Sequence, residues 1–202
     1  MLFRKRELQQ QKIKKSNLLW GKEPGQLQWV TGLFLCLFLG VFLLTQLQVE
    51  SYRASALYLE DALAASNLAS ALIDLEEYGI SHKILVEEPS KAYEKYCVAV
   101  KENLQLNEQW ECGNKGLISG PVRVENYTVY NVTDNVVAIY SVDRNGEITA
   151  GQGMLGAVRS PDGIVIENTG IYSELSFPVK GVLGVNVTAR KGKLVDIVAE
   201  TE

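Results

Sequence analysis

Residues 24–49 carry no charge, and within them residues 29–44 are almost wholly apolar. About 20 such residues cross a bilayer as a helix. The run has no polar face, as a helix at the surface of a soluble core would have, which argues against a buried core helix. The sequence therefore predicts one transmembrane helix at residues 29–48.

The charges on the two sides of this span differ in sign. Residues 1–28 hold seven Lys and Arg against two acids, whereas residues 49–202 hold thirteen against twenty-two. The positive-inside rule therefore predicts a cytoplasmic basic tail (1–28), Trp29 at the inner interface, and an extracytoplasmic domain (49–202) of a single-pass cell-membrane protein. The acidic balance of that domain argues against nucleic acid as a partner.

A cleaved secretory signal is the alternative to a membrane anchor. Ala54-Ser55-Ala56 has the small-x-small form of a cleavage site. However, the apolar run is long for a signal, and a stretch with Glu50, Tyr52 and Arg53 separates it from these residues. We therefore expect the span to be retained, with membrane lipid as its surroundings.

Beyond the span, residues 46–78 contain neither Pro nor Gly, which predicts one long outer helix at 49–79 that stops at Gly79. Residues at seven-residue spacing form its polar stripe, which we expect to face water: Arg53, Glu60, Asn67 and Asp74.

The same helix has an uncharged stretch of small residues at 62–71, which would allow another backbone to approach closely. One interpretation is that this stretch packs within its own domain, as the spine of that domain. The other is that part of it packs between subunits, with four candidate contact residues: Ala62, Ala65, Ala69 and Leu72.

After this helix, the pattern predicts a second helix at 89–105 and then a β-rich head at 118–202, which is an α+β fold with an antiparallel sheet. The strongest hairpin signal is the Asn145-Gly146 pair within the turn at 143–146. Further turns are expected at 161–163 and at Lys191-Gly192-Lys193. The predicted strands are 122–132, 135–142, 147–149, 156–159, 164–167, 182–189 and 194–199.

Of the three cysteines, Cys36 lies in the span, and Cys97 and Cys112 lie in the outer domain. A disulfide between Cys97 and Cys112 is the natural pairing, and closing so short a loop would contribute about 3 kcal/mol. Two free thiols, with Cys97 buried as a small apolar residue, remain the alternative.

Residues for catalysis are scarce, because His82 is the only histidine and no hydrolase, zinc-protease or nucleotide-binding signature occurs. The Gly-rich segment 151–156 lacks the strand and helix that a dinucleotide loop needs, so we expect a flexible turn there. We predict no catalytic residue, no cofactor and no metal site, and therefore no enzyme.

Three stretches carry a resemblance to a known family: Tyr58-Leu-Glu-Asp-Ala-Leu-Ala-Ala-Ser-Asn-Leu-Ala-Ser-Ala, Pro89-Ser-Lys-Ala-Tyr-Glu-Lys-Tyr leading to Glu102-Asn-Leu-Gln-Leu, and the strands from Phe177-Pro-Val to Val198. With the basic N-terminus and the span, this arrangement resembles type IV pilins and pseudopilins. It is most similar to TadE-like proteins of Tad (Flp) pilus systems of Gram-positive bacteria. The resemblance implies a pilin-like fold, and pilin-like subunits or pilus assembly platform proteins as partners.

The sequence departs from these families at the processing site. Prepilins are usually cut after a Gly that is followed by an apolar stretch with Glu at its fifth position, but here that position holds Val30 counted from Gly25 and Leu37 counted from Gly32. We therefore expect a permanently anchored, non-enzymatic minor pilin or assembly component. A membrane-anchored sensor or adhesion ectodomain is the main alternative, and an anchored enzyme is a third.

Overall fold

A computed structural model describes residues 24–113, 118–143, 145–180 and 186–198. It divides into two compact units, Met1–Ser51 and Tyr52–Glu202. The predicted basic tail before residue 24 lies outside the described residues, as do Arg144 of the 143–146 turn and the beginning of the strand predicted at 182–189.

The first element is one helix of 47 residues, α1 (Pro24–Ser70). In its first part the apolar side chains from Trp29 to Leu47 are exposed. This part of α1 is long and apolar enough to cross a membrane, by length and composition. The structure thus has a long apolar helix near the N-terminus, compatible with a single membrane span.

The prediction that this helix runs to Gly79 is wrong, because α1 ends at Ser70 and a separate short helix, α2 (Leu75–Ser81), follows. Tertiary hydrogen bonds cause the break. The N–H of Asp74 donates to the carbonyl of Leu85 at 2.9 Å, and the N–H of Glu87 donates to the carbonyl of Leu72 at 3.1 Å. Since these groups bond to a neighbouring segment, they do not continue the helix.

The next helix, α3 (Pro89–Asn103), confirms the second predicted helix. Proline occupies its first turn, where a missing N–H is tolerated. Ala92, Tyr96 and Val100 are buried on one of its faces, so α3 contributes a helical layer to the core.

Five strands form one antiparallel sheet in the order β3-β2-β1-β4-β5, which confirms the α+β fold class with an antiparallel sheet. Asp143 Oδ1 accepts from the N–H groups of Asn145 and Glu147 in the β2–β3 hairpin turn, as the Asn-Gly signal predicts. The strands are β1 (Arg123–Thr133), β2 (Val136–Val142), β3 (Ile148–Met154), β4 (Gly170–Lys180) and β5 (Asn186–Asp196).

The structure differs from the predicted strands and turns of the head in three places. The predicted strands do not include β4, which pairs with both β1 and β5. The segments 156–159 and 164–167 are not strands but share only an isolated bridge between Arg159 and Val165. The Gly-rich segment at 151–154 belongs to β3 rather than to a flexible turn.

The turn predicted at Lys191-Gly192-Lys193 is also wrong, since these residues lie within β5 opposite β4. A Cβ atom at Gly192 would clash with the hydroxyl of Tyr172. The glycine is therefore present because a buried tyrosine ring crosses the strand there, and not because the backbone turns.

The two faces of the sheet are covered differently. The helices pack on one face, where the main core includes Leu63 of α1, Tyr96 of α3, Tyr127 of β1 and Leu175 of β4. A second, smaller cluster fills the other face: Tyr130, Val137, Ile166 and Tyr172. The outer part of α1 thus forms one wall of the main core.

Candidate functional site

The part of α1 in the second unit, from Tyr52 to Ser70, presents two different faces. Its buried residues recur at spacings of three and four, which places them on one side of the helix. They are Leu59, Ala62, Leu63, Ser66, Asn67 and Ser70. This side packs on the sheet, so the expected role of the helix as the spine of its own domain is realised for these residues.

Glu60 holds the helix to the edge strand β5. Its two carboxylate oxygens accept from Lys191 Nζ at 2.8 Å and from Lys193 Nζ at 2.7 Å. Hydrogen bonds from the two ammonium groups, together with their charges, lower the pKa of Glu60 to about 2. Lys191 and Lys193 share one face of β5 because side chains alternate along a strand.

Asn67 adds a buried polar contact to the same interface. Its Nδ2 donates to the carbonyl of Lys193 at 3.0 Å and to that of Ile171 at 3.3 Å. The predicted polar stripe therefore does not simply face water: Glu60 and Asn67 bind the sheet. Burial of an amide requires such partners, which only the tertiary structure reveals.

A second set of polar contacts joins α1 to α3. Asn103 Nδ2 donates to Ser66 Oγ at 2.9 Å, and the hydroxyl of Tyr58 donates to the carbonyl of Asn103 at 2.6 Å. Ser70 Oγ also lies 3.0 Å from the hydroxyl of Tyr127 on β1. The outer part of α1 is thus fixed on the second helix and on the sheet.

The opposite face of α1 is exposed and mostly apolar. Of the four predicted contact residues, Ala65 and Ala69 are exposed on this face. Ala62 belongs to the buried core of its own unit, and Leu72 is half-buried after the end of the helix. The structure thus leaves two of the four accessible to a partner.

Sequence reasoning missed two large members of this exposed face, Leu57 and Leu68, and also Leu75, which is exposed at the start of α2. The spacing of Leu57 and Leu68 from Ala65 was the signal available in the sequence, since positions 57, 61, 65 and 68 follow one helical row, on which Asp61 is the charged member. Past the helix end, Leu72 and Leu75 line a shallow groove with Glu87, Glu88 and Lys91. We call Leu57, Ala65, Leu68 and Ala69 the outer stripe.

The cysteines have different surroundings. Cys97 is half-buried beside Tyr93, and burial raises the pKa of its thiol. Cys112 Sγ donates to the carbonyl of Leu104 at 3.7 Å. Both are free thiols in the structure, which therefore does not support the predicted disulfide.

His82 follows α2 with a left-handed backbone, φ 56°, and its N–H donates to the carbonyl of Tyr78. Its ring meets that of Tyr78 edge-on, with 6.0 Å between centroids. Within the described part of the chain, no three His, Cys, Asp or Glu side chains are grouped so as to hold a metal ion.

Comparisons with protein families, with curated proteins and with solved structures find no significant match to this chain.

Proposed function

We propose that this chain is a non-enzymatic, membrane-anchored, pilin-like subunit: a TadE-like minor pilin or assembly component of a Tad-type system. The apolar part of α1 anchors it in the membrane with the N-terminus in the cytoplasm. The domain after the span lies outside the cell, where it contacts other pilin-like subunits or platform proteins. The sequence resemblance described above supports this assignment to a family.

The observation that carries the proposal is the two-sided outer part of α1. One side is fixed to the sheet by Glu60 and Asn67, while the other side exposes the apolar outer stripe together with the carboxylate of Asp61. Small residues between larger ones let a second helix approach closely, as in helix pairs of membrane assemblies. Burial of Leu57 and Leu68, each already partly covered, would contribute about 1 kcal/mol per side chain.

Substitution of Leu68 by Glu tests this packing role directly. Leu68 is 54% exposed and its matched control, Val98 on α3, is also 54% exposed. The full chain is tagged and purified from membranes of its own cells in mild detergent, and the co-purified proteins are identified by mass spectrometry. We expect Leu68→Glu, Ala65→Glu and Ala69→Glu to lose pilin-like and platform partners, because a carboxylate in a packed interface loses its hydration.

We expect Val98→Glu to retain those partners, and all four variants to keep the unfolding temperature of the head. Equal loss of partners in Leu68→Glu and Val98→Glu would contradict the packing role. If the wild-type protein co-purifies with no component of a secretion system, the pilin-like assignment itself is wrong.

Topology is tested on intact protoplasts. Protease added from outside should remove residues after the span, because the basic residues before Trp29 keep the N-terminus inside. Protection of the head, with loss of an N-terminal tag, would reverse the topology and exclude the proposed role.

A further inference from the structure

Strand β4 and the part of α1 in the second unit run in opposite directions. Near the end of α1, Asn67 Nδ2 donates to the carbonyl of Ile171, close to the beginning of β4. At the other end of this part of α1, the hydroxyl of Tyr52 donates to the carbonyl of Lys180, the last residue of β4, at 2.7 Å. The end of β4 therefore lies beside the residue with which the second unit begins.

The contacts of β5 agree with this direction. Glu60, midway along this part of α1, binds Lys191, which pairs with Leu175 in the middle of β4. Val187 pairs with Val179, next to the last residue of β4. The beginning of β5 therefore lies level with the end of β4, at the same end of the sheet.

Tyr52 follows closely on the apolar run of α1. It comes five residues after Leu47, which places it about 7.5 Å further along the helix. The polar headgroup layer extends about 5–8 Å beyond each side of the hydrocarbon core. With the apolar run across the membrane, Tyr52 and the end of β4 are therefore at the outer part of the headgroup layer. Tyrosine is enriched at this boundary, since its ring is apolar and its hydroxyl is polar.

We propose that this end of the sheet contacts the lipid headgroups of the membrane that holds the span, through Tyr52, Lys180 and Val187. Lys180 is exposed and carries a positive charge suited to lipid phosphates, and Val187 is apolar and 57% exposed. The sequence between Lys180 and Asn186 is uncharged, so it adds no acidic group that the phosphates would repel.

Lipid is favoured over a protein as the occupant because the chain itself keeps lipid beside this surface. The span and Tyr52 belong to one helix, so headgroups stay within reach of Lys180 whatever other molecules bind. A tethered contact of this kind needs little intrinsic affinity, since its effective concentration is high. The contact rests on the membrane anchoring proposed above and is independent of any pilin-like partner.

Quenching by nitroxide lipids tests the contact in the full chain. Val187→Cys is labelled with a fluorophore in a background in which Cys36, Cys97 and Cys112 are replaced by alanine. The protein is reconstituted into vesicles of phosphatidylcholine and phosphatidylglycerol, with a nitroxide on a fraction of the headgroups. Val198→Cys is the matched control, because Val198 is 62% exposed and follows the far end of β5, about 30 Å away. The label at 187 should be quenched several-fold more than the label at 198.

Anchoring is checked separately, with Cys36 as the only labelled cysteine and a nitroxide on the lipid acyl chains. If Cys36 is quenched but the labels at 187 and 198 are quenched equally, the headgroup contact is wrong while the anchoring stands. If Cys36 is not quenched, the anchoring fails and the contact fails with it.

Methyl NMR of the wild-type chain in nanodiscs makes the same comparison without any substitution. A paramagnetic ion on the headgroups should broaden the methyl signals of Val187 more than those of Val198. Equal broadening of the two valines would overturn the contact.

A longer helix gives the sharpest control. Seven helix-forming residues inserted between Val49 and Glu50 add two turns, which raise this end of the sheet by about 10 Å from the headgroups. Quenching at Val187 should then fall to the level at Val198, while quenching at Cys36 stays the same. Undiminished quenching at Val187 in the lengthened chain would refute a contact that the length of α1 sets.

Discussion

Replacement of Leu63 by Ala tests how the outer part of α1 is oriented on the sheet. Leu63 is 1% exposed and belongs to the main core. Truncating such a buried leucine costs about 2–5 kcal/mol, through lost burial and the cavity that remains. Alanine is the better helix former, so none of this loss comes from the helix itself. For the compact unit at residues 52–202, which has about 150 residues, we expect the unfolding temperature to fall by roughly 4–20 °C.

The assay is thermal unfolding of the compact unit at residues 52–202, followed by near-ultraviolet circular dichroism of its buried tyrosines. Leu68→Ala is the control, since it makes the same chemical change on the exposed face of the same helix. We expect its unfolding free energy to change by about 0.5 kcal/mol or less. If Leu68→Ala destabilises the head as much as Leu63→Ala does, the assignment of the buried and exposed faces is wrong.

Three further predictions concern single interactions in the compact unit at residues 52–202. Because the folded-state pKa of Glu60 is lowered to about 2, its contribution to stability is complete above pH 4.5 and is lost as the pH falls toward 2. The difference in unfolding temperature between wild type and Glu60→Gln should therefore shrink over that range, and a constant difference would contradict the ion-pair role. Gly192→Ala should destabilise the head by about 1–3 kcal/mol in urea unfolding, because its Cβ meets a buried tyrosine, whereas Gly151→Ala should be nearly neutral. A Cys97–Cys112 disulfide stays a prediction for the oxidised protein: non-reducing mass spectrometry should find the linked peptides, and complete alkylation of both thiols without reductant would exclude it.

The candidate surface was only partly predictable. The uncharged stretch at 62–71 includes Ala65 and Ala69, which are exposed in the structure and remain predicted contact residues. It also included Ala62, which is buried, because small residues favour close packing with any neighbour and do not identify which neighbour is present. Ala62 lies on the side of the helix that packs against the sheet, whereas Ala65 and Ala69 lie on the opposite side. The sequence does not specify which side of the helix the sheet covers.

Local signals in the sequence determined the long apolar helix, the second helix and the Asn-Gly hairpin. Each depends on neighbours within a few residues: an uncharged apolar run, a proline at the first helical turn, or a glycine that accepts a positive φ. Such signals depend only on residues that are close in the chain. They can therefore be recognised in the sequence without knowledge of the tertiary contacts.

Tertiary contacts decided where the first helix ends and whether Lys191-Gly192-Lys193 turns. Backbone groups after Ser70 pair with residues 85–87 instead of continuing the helix. Gly192 remains in an extended strand because Tyr172 covers it, while Glu60, more than a hundred residues away, binds the lysines on both sides. A glycine between two lysines is compatible with a turn or with a strand. The tertiary contacts of the folded chain determine which of the two forms.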